Sequence, residues 1–533
     1  MKEHVRRVAA WVLTLLATAL VLFALIAPND LDDLDARAFL RIPVEALVFV
    51  ALLLALPARA RRYLAIPAGA LLGALTLVKV ADMGFLATLD RPFNLVLDWS
   101  FFGNAKDFLD QSFGRTGAVA AVVAAVVLAI AVPVLMTLAA LRLTRLIRQH
   151  PTAATRTTAA FTVAWISFLV LGVQIAPDVP VAALTYDRAQ QVRAGLNDKE
   201  EFAKLAAVDH FLHTPDDQLL TALRGKDILL TFVESYGRDA VEDPVYATQV
   251  GALLAEGNRR LVAAGYHSRS GWLTSSTTGG GSWLAQSTLT CGLWINNQQR
   301  YNNLVSSDRM TLNSAFRRAG WRTVAVKPGI TRAWPEGDFF GYDKVYDLRN
   351  IGYRGPGFGF ATMPDQFALS AFQRNEYGTP GRGPVMAEIA LLSSHNPWAP
   401  IPRMVGWDEV GDGSIFHEIK KEGFSVDEVW KDDDRVREEY RRSIEYSLNT
   451  LISYVETYGK DNLVLVFLGD HQASPLIVGE NASRDVPITI VAHDPAVLDR
   501  ISSWGWQDGL KPTPQSPVWR MDEFRDNFLT AYG

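Results

Sequence analysis

The apolar run Asn462 to Leu468 ends in Gly469-Asp470-His471, and a second apolar run, Asp227 to Val233, ends in Glu234. Both runs are short, β-prone and followed by polar residues. That pattern predicts buried parallel strands delivering acidic groups at their carboxyl ends, where open α/β sheets build their active sites. Two carboxylates and one imidazole leave room for an oxygen nucleophile, and the Ser/Thr- and Gly-rich stretch Thr274 to Ser282 lies between the two strands. Such a donor set suits metal-assisted phosphoryl or sulfuryl transfer. Hard oxygen ligands with one imidazole favour a single divalent ion held by Glu234, Asp470, His471 and Ser282, with Mn²⁺ first and Mg²⁺ or Zn²⁺ as alternatives.

Gly279-Gly280-Gly281-Ser282 runs directly into the helical Trp283-Leu284-Ala285-Gln286. Ser282 is therefore expected at a helix amino terminus, where free N–H groups and the helix dipole favour a phosphate. A metal on its hydroxyl would make it a usable nucleophile. The bland alternative is a capping serine after a flexible loop, but the glycines allow the close backbone approach that a ligand needs. His395, in Ser394-His395-Asn396-Pro397-Trp398, follows an apolar strand from Val385 to Leu392. Its expected role is a substrate-oxygen contact or the acid for a leaving group. Lys327, at the end of a strand from Thr323 to Val326, and Trp334 are candidates for a phosphate and for a glycerol or sugar face; core or surface roles are the alternatives for both.

These residues need a scaffold. From Asp227 onward, strands alternate with helices near 250–264, 283–292, 312–319, 366–373 and 436–458, and a charged, aromatic insertion spans Arg403 to Asp434. This alternation predicts a mainly parallel sheet covered by helices on both faces. The chain ends in a short amphipathic helix, Met521 to Ala531.

At 533 residues the chain exceeds one ordinary core, and its composition shifts near residue 177. Before that point five apolar stretches, Val8 to Ala27, Ile42 to Ala58, Tyr63 to Leu86, Ala118 to Ala140 and Thr158 to Ile175, approach the ~20 residues that span a hydrocarbon core. The expected division is a transmembrane unit (1–177), a connecting segment (178–224) and a catalytic α/β domain (225–533). Arginines and lysines precede the first stretch and separate the second from the third and the fourth from the fifth, while the loop Asn29 to Arg41 is rich in aspartate. The positive-inside rule places the amino terminus in the cytoplasm and the catalytic domain outside, as in a multi-pass protein of a bacterial inner membrane with a periplasmic or extracellular domain. Lys79 and Asp82, within the third stretch, are assigned no role. The one cysteine, Cys291, excludes an intrachain disulfide, and a formal charge of −5 without basic aromatic stripes gives no support for nucleic-acid binding.

Four motifs together resemble the alkaline phosphatase and sulfatase superfamily, in particular the membrane-anchored branch of lipoteichoic acid synthases and phosphoglycerol transferases. They are Phe232-Val233-Glu234-Ser235-Tyr236, Ser282 to Gly292, Ser394-His395-Asn396-Pro397-Trp398 and Gly469-Asp470-His471. The five-span anchor is also similar to that of lipoteichoic acid synthases. The resemblance implies Glu234, Asp470 and His471 as metal ligands, His395 as a substrate contact, and a nucleophile ten residues before a helix-ending glycine, which is the Ser282 to Gly292 spacing. Many relatives carry threonine as nucleophile, and Thr278 sits just upstream; if Gly279 to Gly281 are an insertion, Thr278 takes that role. The sulfatase motif Cys-x-Pro-x-Arg is absent, since Cys291 is followed by Gly292-Leu293-Trp294-Ile295.

The resemblance implies transfer of a phosphoglycerol-type group from a membrane phospholipid, phosphatidylglycerol by likeness, to a glycan or polymer acceptor through a covalent Ser/Thr intermediate. Two alternatives stand beside it: a phosphodiester or sulfate-ester hydrolase of the same superfamily, and an inactive membrane scaffold that keeps the fold.

Overall fold

A computed structural model describes residues 2–31, 33–99, 101–171 and 181–533. The chain forms two compact units, Met1–Ala87 with Arg91–Leu196, and Thr88–Asp90 with Asn197–Gly533. The expected end of the fifth apolar stretch and the division at residue 177 fall within 172–180, outside the described residues.

The first unit consists of α1 (Lys2–Ile26), α2 (Val44–Ala55), α3 (Ala58–Leu89), α4 (Phe101–Gln149), α5 (Pro151–Val170) and the start of α6 (Val181–Ala206). Five helical segments, Glu3–Ile26, Ala38–Ala55, Arg59–Leu89, Gly114–Gln149 and Pro151–Val170, are long and apolar enough to cross a membrane. α4 breaks at Gly114, whose φ of 72° is non-helical, so its apolar stretch begins there. Lys79 and Asp82 both serve as fasteners inside this unit. The Lys79 ammonium donates to the carbonyls of Ala24 (3.0 Å) and Ala27 (2.6 Å) at the carboxyl end of α1. Asp82 accepts from the Phe93 amide at 3.0 Å, from Asn29 at 3.2 Å and from Arg188.

The second unit is built on a sheet of β1 (Asp227–Val233), β2 (His267–Thr274), β3 (Arg322–Val326), β4 (Lys344–Tyr346), β5 (Val385–Leu391), β6 (Leu463–Gly469), β7 (Asp485–Ala492), β8 (Gln507–Asp508) and β9 (Val518–Arg520). The order is β4-β3-β5-β1-β6-β7-β2-β8, with β9 on β2. The block from β4 to β6 is parallel throughout. β7 runs antiparallel to both β6 and β2. The sheet is thus mainly parallel, as expected, with one addition. β2 has no apolar run in its sequence His-Ser-Arg-Ser-Gly-Trp-Leu-Thr, and the sequence pattern predicts no strand there. It becomes a strand because β7 supplies a partner along its whole length.

β1 is buried at every position, and its alternate side chains divide between two cores. Leu229 and Val233 join the face covered by α7 (Ala247–Ala263) and by the long helix Asp433–Tyr458. Ile228, Leu230 and Phe232 face Ala285 and Leu289 of the helix Ser282–Cys291. In chain order the remaining helices used below are α8 (Ser282–Cys291), α9 (Leu312–Arg318), α10 (Asp365–Phe372), α11 (Asp433–Tyr458) and α12 (Phe524–Tyr532). Each fully buried Leu, Ile, Val or Phe of β1 stabilises this sandwich by ~1.5–3 kcal/mol. α11 starts where the Asp432 carboxylate accepts from the amides of Asp434 and Arg435. Its buried stripe, Val436, Tyr440, Ile444, Leu448, Leu451 and Val455, follows the three-to-four spacing of an amphipathic helix.

Gly469 closes β6 for a steric reason. A Cβ there would lie 1.8 Å from the Tyr236 carbonyl oxygen, because the chain leaving β1 folds tightly over the end of β6. Gly469→Ala is therefore expected to destabilise the domain by about 3 kcal/mol or more, since a backbone oxygen cannot swing aside like a side chain. Chemical denaturation of the full chain checks this. An unchanged midpoint would contradict the close approach.

Candidate active site

The sheet register brings the carboxylates together. Val233 pairs with Gly469 on one side and with Leu391 on the other, so the residues following all three strands emerge at one sheet edge. Glu234 and Asp470 are thus next-door neighbours although 236 sequence positions separate them (470 − 234). Ser235 turns the chain with a positive φ of 56°, uncommon for a residue with a side chain. That turn aims its amide at Asp470 Oδ1, 2.9 Å away. Tyr440 of α11 holds the turn by donating its hydroxyl to the Ser235 carbonyl at 2.9 Å.

Asp470 Oδ1 also accepts the His471 amide at 2.8 Å, so both backbone bonds fall on one oxygen. His471 Nδ1 lies 2.7 Å from the Gln472 carbonyl. A carbonyl only accepts, so Nδ1 carries a proton and Nε2 is the ring atom turned to the cluster. Nε2 lies 3.2 Å from Glu234 Oε1 and 3.7 Å from Asp470 Oδ1. One ligand atom from each of Glu234, Asp470 and His471 lies within 4.8 Å of the others, and all three residues are buried.

Ser282 completes the group. Its hydroxyl donates to Glu234 Oε2 at 2.8 Å and lies 3.2 Å from His471 Nε2. It is the first residue of α8, preceded by Gly281 in the left-handed conformation at φ 83°. Thr278, the other hydroxyl considered, is placed differently. Its backbone pairs with Gln472 in a short parallel bridge, the next amide, Gly279 N–H, donates to the Gln472 carbonyl at 2.9 Å, and its own hydroxyl bonds to none of Glu234, Asp470 and His471.

His395 sits on the loop after β5, half-buried, with its ring stacked on Phe360 at 4.0 Å. The loop is tied to the cluster through Ser394, whose hydroxyl donates to the Glu234 carbonyl at 2.6 Å. Asp365, at the start of α10, accepts from the amides of Leu392 (2.7 Å) and Ser393 (3.0 Å) and from the Ser447 hydroxyl of α11 (2.6 Å). Burial raises its carboxyl to about 6. Sequence reasoning passed over Asp365, and the only available signal was an acid inside an apolar helix, which must find partners.

The structure sets Lys327 and Trp334 in other company. The Lys327 ammonium pairs with buried Glu388, in the middle of β5, and donates to Gln286 Oε1 at 2.6 Å, one turn along α8 from Ser282. Glu388 also accepts from Asn313 of α9 at 2.7 Å and from Tyr342 at 2.8 Å. Glu388 was not singled out from the sequence, although a lone carboxylate in the apolar Val-Met-Ala-Glu-Ile-Ala-Leu requires a buried partner. Trp334 is half-buried in an aromatic cluster, 5.5 Å from the Phe340 ring, and donates to the Tyr301 hydroxyl at 3.2 Å. That cluster includes Leu284 of α8, so both residues brace the helix that carries Ser282.

Electrostatics agree with a cation site. Burial works against the charge on Glu234, but the neighbouring His395 and His471, with hydrogen bonds from His471 and Ser282, bring its carboxyl well below the usual range. Burial and the Glu234 charge push Asp470 upward. Burial opposes a charge on His471, yet the Asp470 and Glu234 carboxylates outweigh it and raise the imidazole to about 9. A dication needs Asp470 ionised and His471 neutral, so its binding displaces the protons they hold. Apparent metal affinity is therefore expected to rise with pH, about tenfold per unit up to roughly pH 9 while His471 releases its proton. The rise is steeper at lower pH, where Asp470 is protonated as well, and levels off above that range. Competition with a fluorescent chelator from pH 6 to 10 measures the slope, and a flat profile would refute this ligand set.

No protein-family model matches the chain, and no curated protein does. Solved structures do. The chain is similar to the lipoteichoic acid synthase LtaP from Listeria monocytogenes, at 13% identity and a TM-score of 0.38, covering 63% of this chain and 78% of that one. It is similar to the carboxyl-terminal periplasmic domain of EptC from Escherichia coli, at 14% identity and a TM-score of 0.38, covering 58% and 82%. It is also similar to the phosphoglycerol transferase GacH from Streptococcus pyogenes, solved with sn-glycerol-1-phosphate, at 13% identity and a TM-score of 0.36, covering 62% and 91%.

Proposed function

We propose that this chain is a membrane-anchored, metal-dependent transferase that moves a phosphoglycerol-type group from a phospholipid to a glycan or polymer hydroxyl. The observation that carries the reading is the Ser282 hydroxyl, 2.8 Å from Glu234 Oε2 and 3.2 Å from His471 Nε2, at the head of a helix. A nucleophile there meets buried acid and imidazole groups, and the half-buried His395 loop is tied to one of them through the Ser394 hydroxyl on the Glu234 carbonyl.

Glu234, Asp470 and His471 would hold one divalent ion, with the Ser282 hydroxyl as a further oxygen. Two carboxylates, an imidazole and a hydroxyl fit Mn²⁺, with Mg²⁺ and Zn²⁺ as alternatives. Such an ion, when bound, lowers the hydroxyl pKa and stabilises charge on phosphoryl oxygens. Ser282 Oγ attacks phosphorus, its proton leaves toward Glu234 Oε2, and the bond from phosphorus to the diacylglycerol oxygen breaks. His395 supplies a proton to that departing oxygen. In the second half, an acceptor hydroxyl gives its proton to His395 and attacks phosphorus, the bond from phosphorus to Ser282 Oγ breaks, and the serine oxygen takes back the proton held at Glu234. Free amides at the start of α8 favour the phosphate in both halves. A covalent tether to five membrane-spanning helices confines the domain to its lipid donor.

Purified full-length protein incubated with labelled phosphatidylglycerol tests this. Diacylglycerol release is expected to rise when a glycan acceptor is added, and labelled phosphoglycerol to appear on the glycan. Release that ignores the acceptor would reject transfer in favour of hydrolysis. No release with any single added metal would return the chain to the scaffold reading.

A further inference from the structure

Lys327 and Glu388 lie outside the group of Glu234, Asp470 and His471, yet their contacts end one helical turn from Ser282. Val326 pairs with Ile389, so Lys327 leaves β3 level with Ala390, toward the carboxyl edge from which Glu234 also emerges. Its ammonium lies 5.7 Å from the centre of the Phe232 ring, two residues before Glu234. Lys327 is buried, pairs with buried Glu388 and donates to Gln286 Oε1 at 2.6 Å.

These contacts fix what Gln286 offers. An ammonium only donates, so the amide oxygen of Gln286 is the atom turned to Lys327 and its NH₂ group is turned away. Gln286 is half-buried, and among the described residues that NH₂ group makes no hydrogen bond. Ser282 and Gln286 are four positions apart in α8 and share one of its faces. A helical side chain leans over the turn that precedes it, which here is the turn that Ser282 opens. Glu388 cancels the Lys327 charge, so the network presents a neutral N–H donor and not a cation. A fixed donor beside a nucleophile suits an oxygen on which negative charge rests or develops.

We infer that Gln286 is a specificity-determining residue whose side-chain N–H donates to a non-bridging oxygen of a phosphodiester held at Ser282, and that Lys327, set by Glu388, is the positioning residue that keeps the amide turned that way. The inference rests on Ser282 being the nucleophile of the proposed phosphoester chemistry. Gln286→Glu probes it directly, because glutamate keeps an oxygen for Lys327 and puts a second, negatively charged oxygen where the donor was.

The test assays full-length protein saturated with Mn²⁺ on bis(p-nitrophenyl) phosphate, a soluble diester that needs neither lipid nor glycan, and measures affinity for inorganic phosphate by calorimetry. Gln286→Ala is expected to lower kcat/KM by about 10–100-fold, the loss of one hydrogen bond to a charged group. Gln286→Glu should lower it by more than ~100-fold, since it adds repulsion to that loss. Phosphate affinity should fall in the same order, while the Mn²⁺ affinity of Gln286→Ala matches the wild type. Lys327→Met combined with Glu388→Gln removes the buried pair without stranding a charge. In that background the amide can turn, so adding Gln286→Ala should cost no more than about threefold; the full loss there would overturn the role of Lys327, and the single Gln286 variants decide the donor contact should that background fail to fold. Wild-type kcat/KM and phosphate affinity in Gln286→Glu would overturn the inference, as would a parallel loss of Mn²⁺ affinity in Gln286→Ala, which marks a displaced α8. If the wild type cleaves the soluble diester but transfers nothing from phosphatidylglycerol, the transferase reading fails and the variants still decide the Gln286 contact. If the wild type transfers and the variants match it, only the contact fails; a wild type that neither cleaves the diester nor binds phosphate overturns both.

Discussion

Ser282→Ala is expected to lower diacylglycerol release by on the order of 10⁴-fold or more and to abolish any covalent phosphoglycerol-protein species. Thr278→Ala should cost about tenfold or less, because Thr278 shapes the loop through its backbone bridge to Gln472 and its hydroxyl makes no bond to a ligand residue. The contrast is geometric. Of these two residues, Ser282 is the one whose oxygen lies 2.8 Å from Glu234 Oε2 and 3.2 Å from His471 Nε2, and the one that opens α8. On the proposed mechanism, losing the Ser282 hydroxyl removes the route itself, whereas losing the Thr278 methyl and hydroxyl alters loop packing. Acid-quenched labelling with phosphatidylglycerol carrying labelled glycerol reads the covalent species directly. A label that persists in Ser282→Ala and disappears in Thr278→Ala would reverse the assignment.

The second large effect is at Asp470, where two substitutions separate metal binding from folding. Asp470→Asn and Asp470→Ala should both weaken divalent-metal binding by more than ~100-fold, since losing even an outer partner of a ligand costs ~10–100-fold. They should differ in the metal-free protein. Asp470 Oδ1 accepts the amides of Ser235 and His471, and an asparagine oxygen can keep both bonds. Asparagine also removes the repulsion from buried Glu234 that pushes the Asp470 carboxyl upward. Metal-free Asp470→Asn is therefore expected to be at least as stable as the wild type. Alanine strands two buried N–H groups at ~1–3 kcal/mol each, so metal-free Asp470→Ala should be less stable by a few kcal/mol. Calorimetry of metal binding with denaturation in chelator checks both halves. Undiminished metal affinity in either variant would remove Asp470 from the ligand set. Intact cellular function in Asp470→Ala would favour an inactive scaffold whose function lies elsewhere.

Much of this candidate site was legible in local sequence because the groups it brings together sit at strand ends. An apolar run ending in Glu234, another ending in Gly469-Asp470-His471, and a third leading to His395 each announce a parallel strand and a group delivered beyond it. The Gly-rich entry to α8 marked Ser282 in the same way. Residues whose role depends on a partner from another element were not legible. Glu388 reads as a blemish in a strand until Lys327, Asn313 and Tyr342 converge on it. Asp365 reads as one more acid until the His395 loop and α11 both donate to it. β2, with no apolar run, is a strand because β7 lies alongside.

By itself, then, the linear order of residue types determined which chemical groups this protein possesses, which segments are apolar enough to enter a membrane, and that strands alternate with helices, since periodicity and composition are local properties of a chain. Whether Glu234 stands beside Asp470, which of two hydroxyls reaches them, and whether Lys327 is left open to a substrate or pairs with an acid were decided only by tertiary structure. Those outcomes depend on strand order and register between segments as many as 236 positions apart (470 − 234), and no local pattern encodes which strand a given strand will lie against.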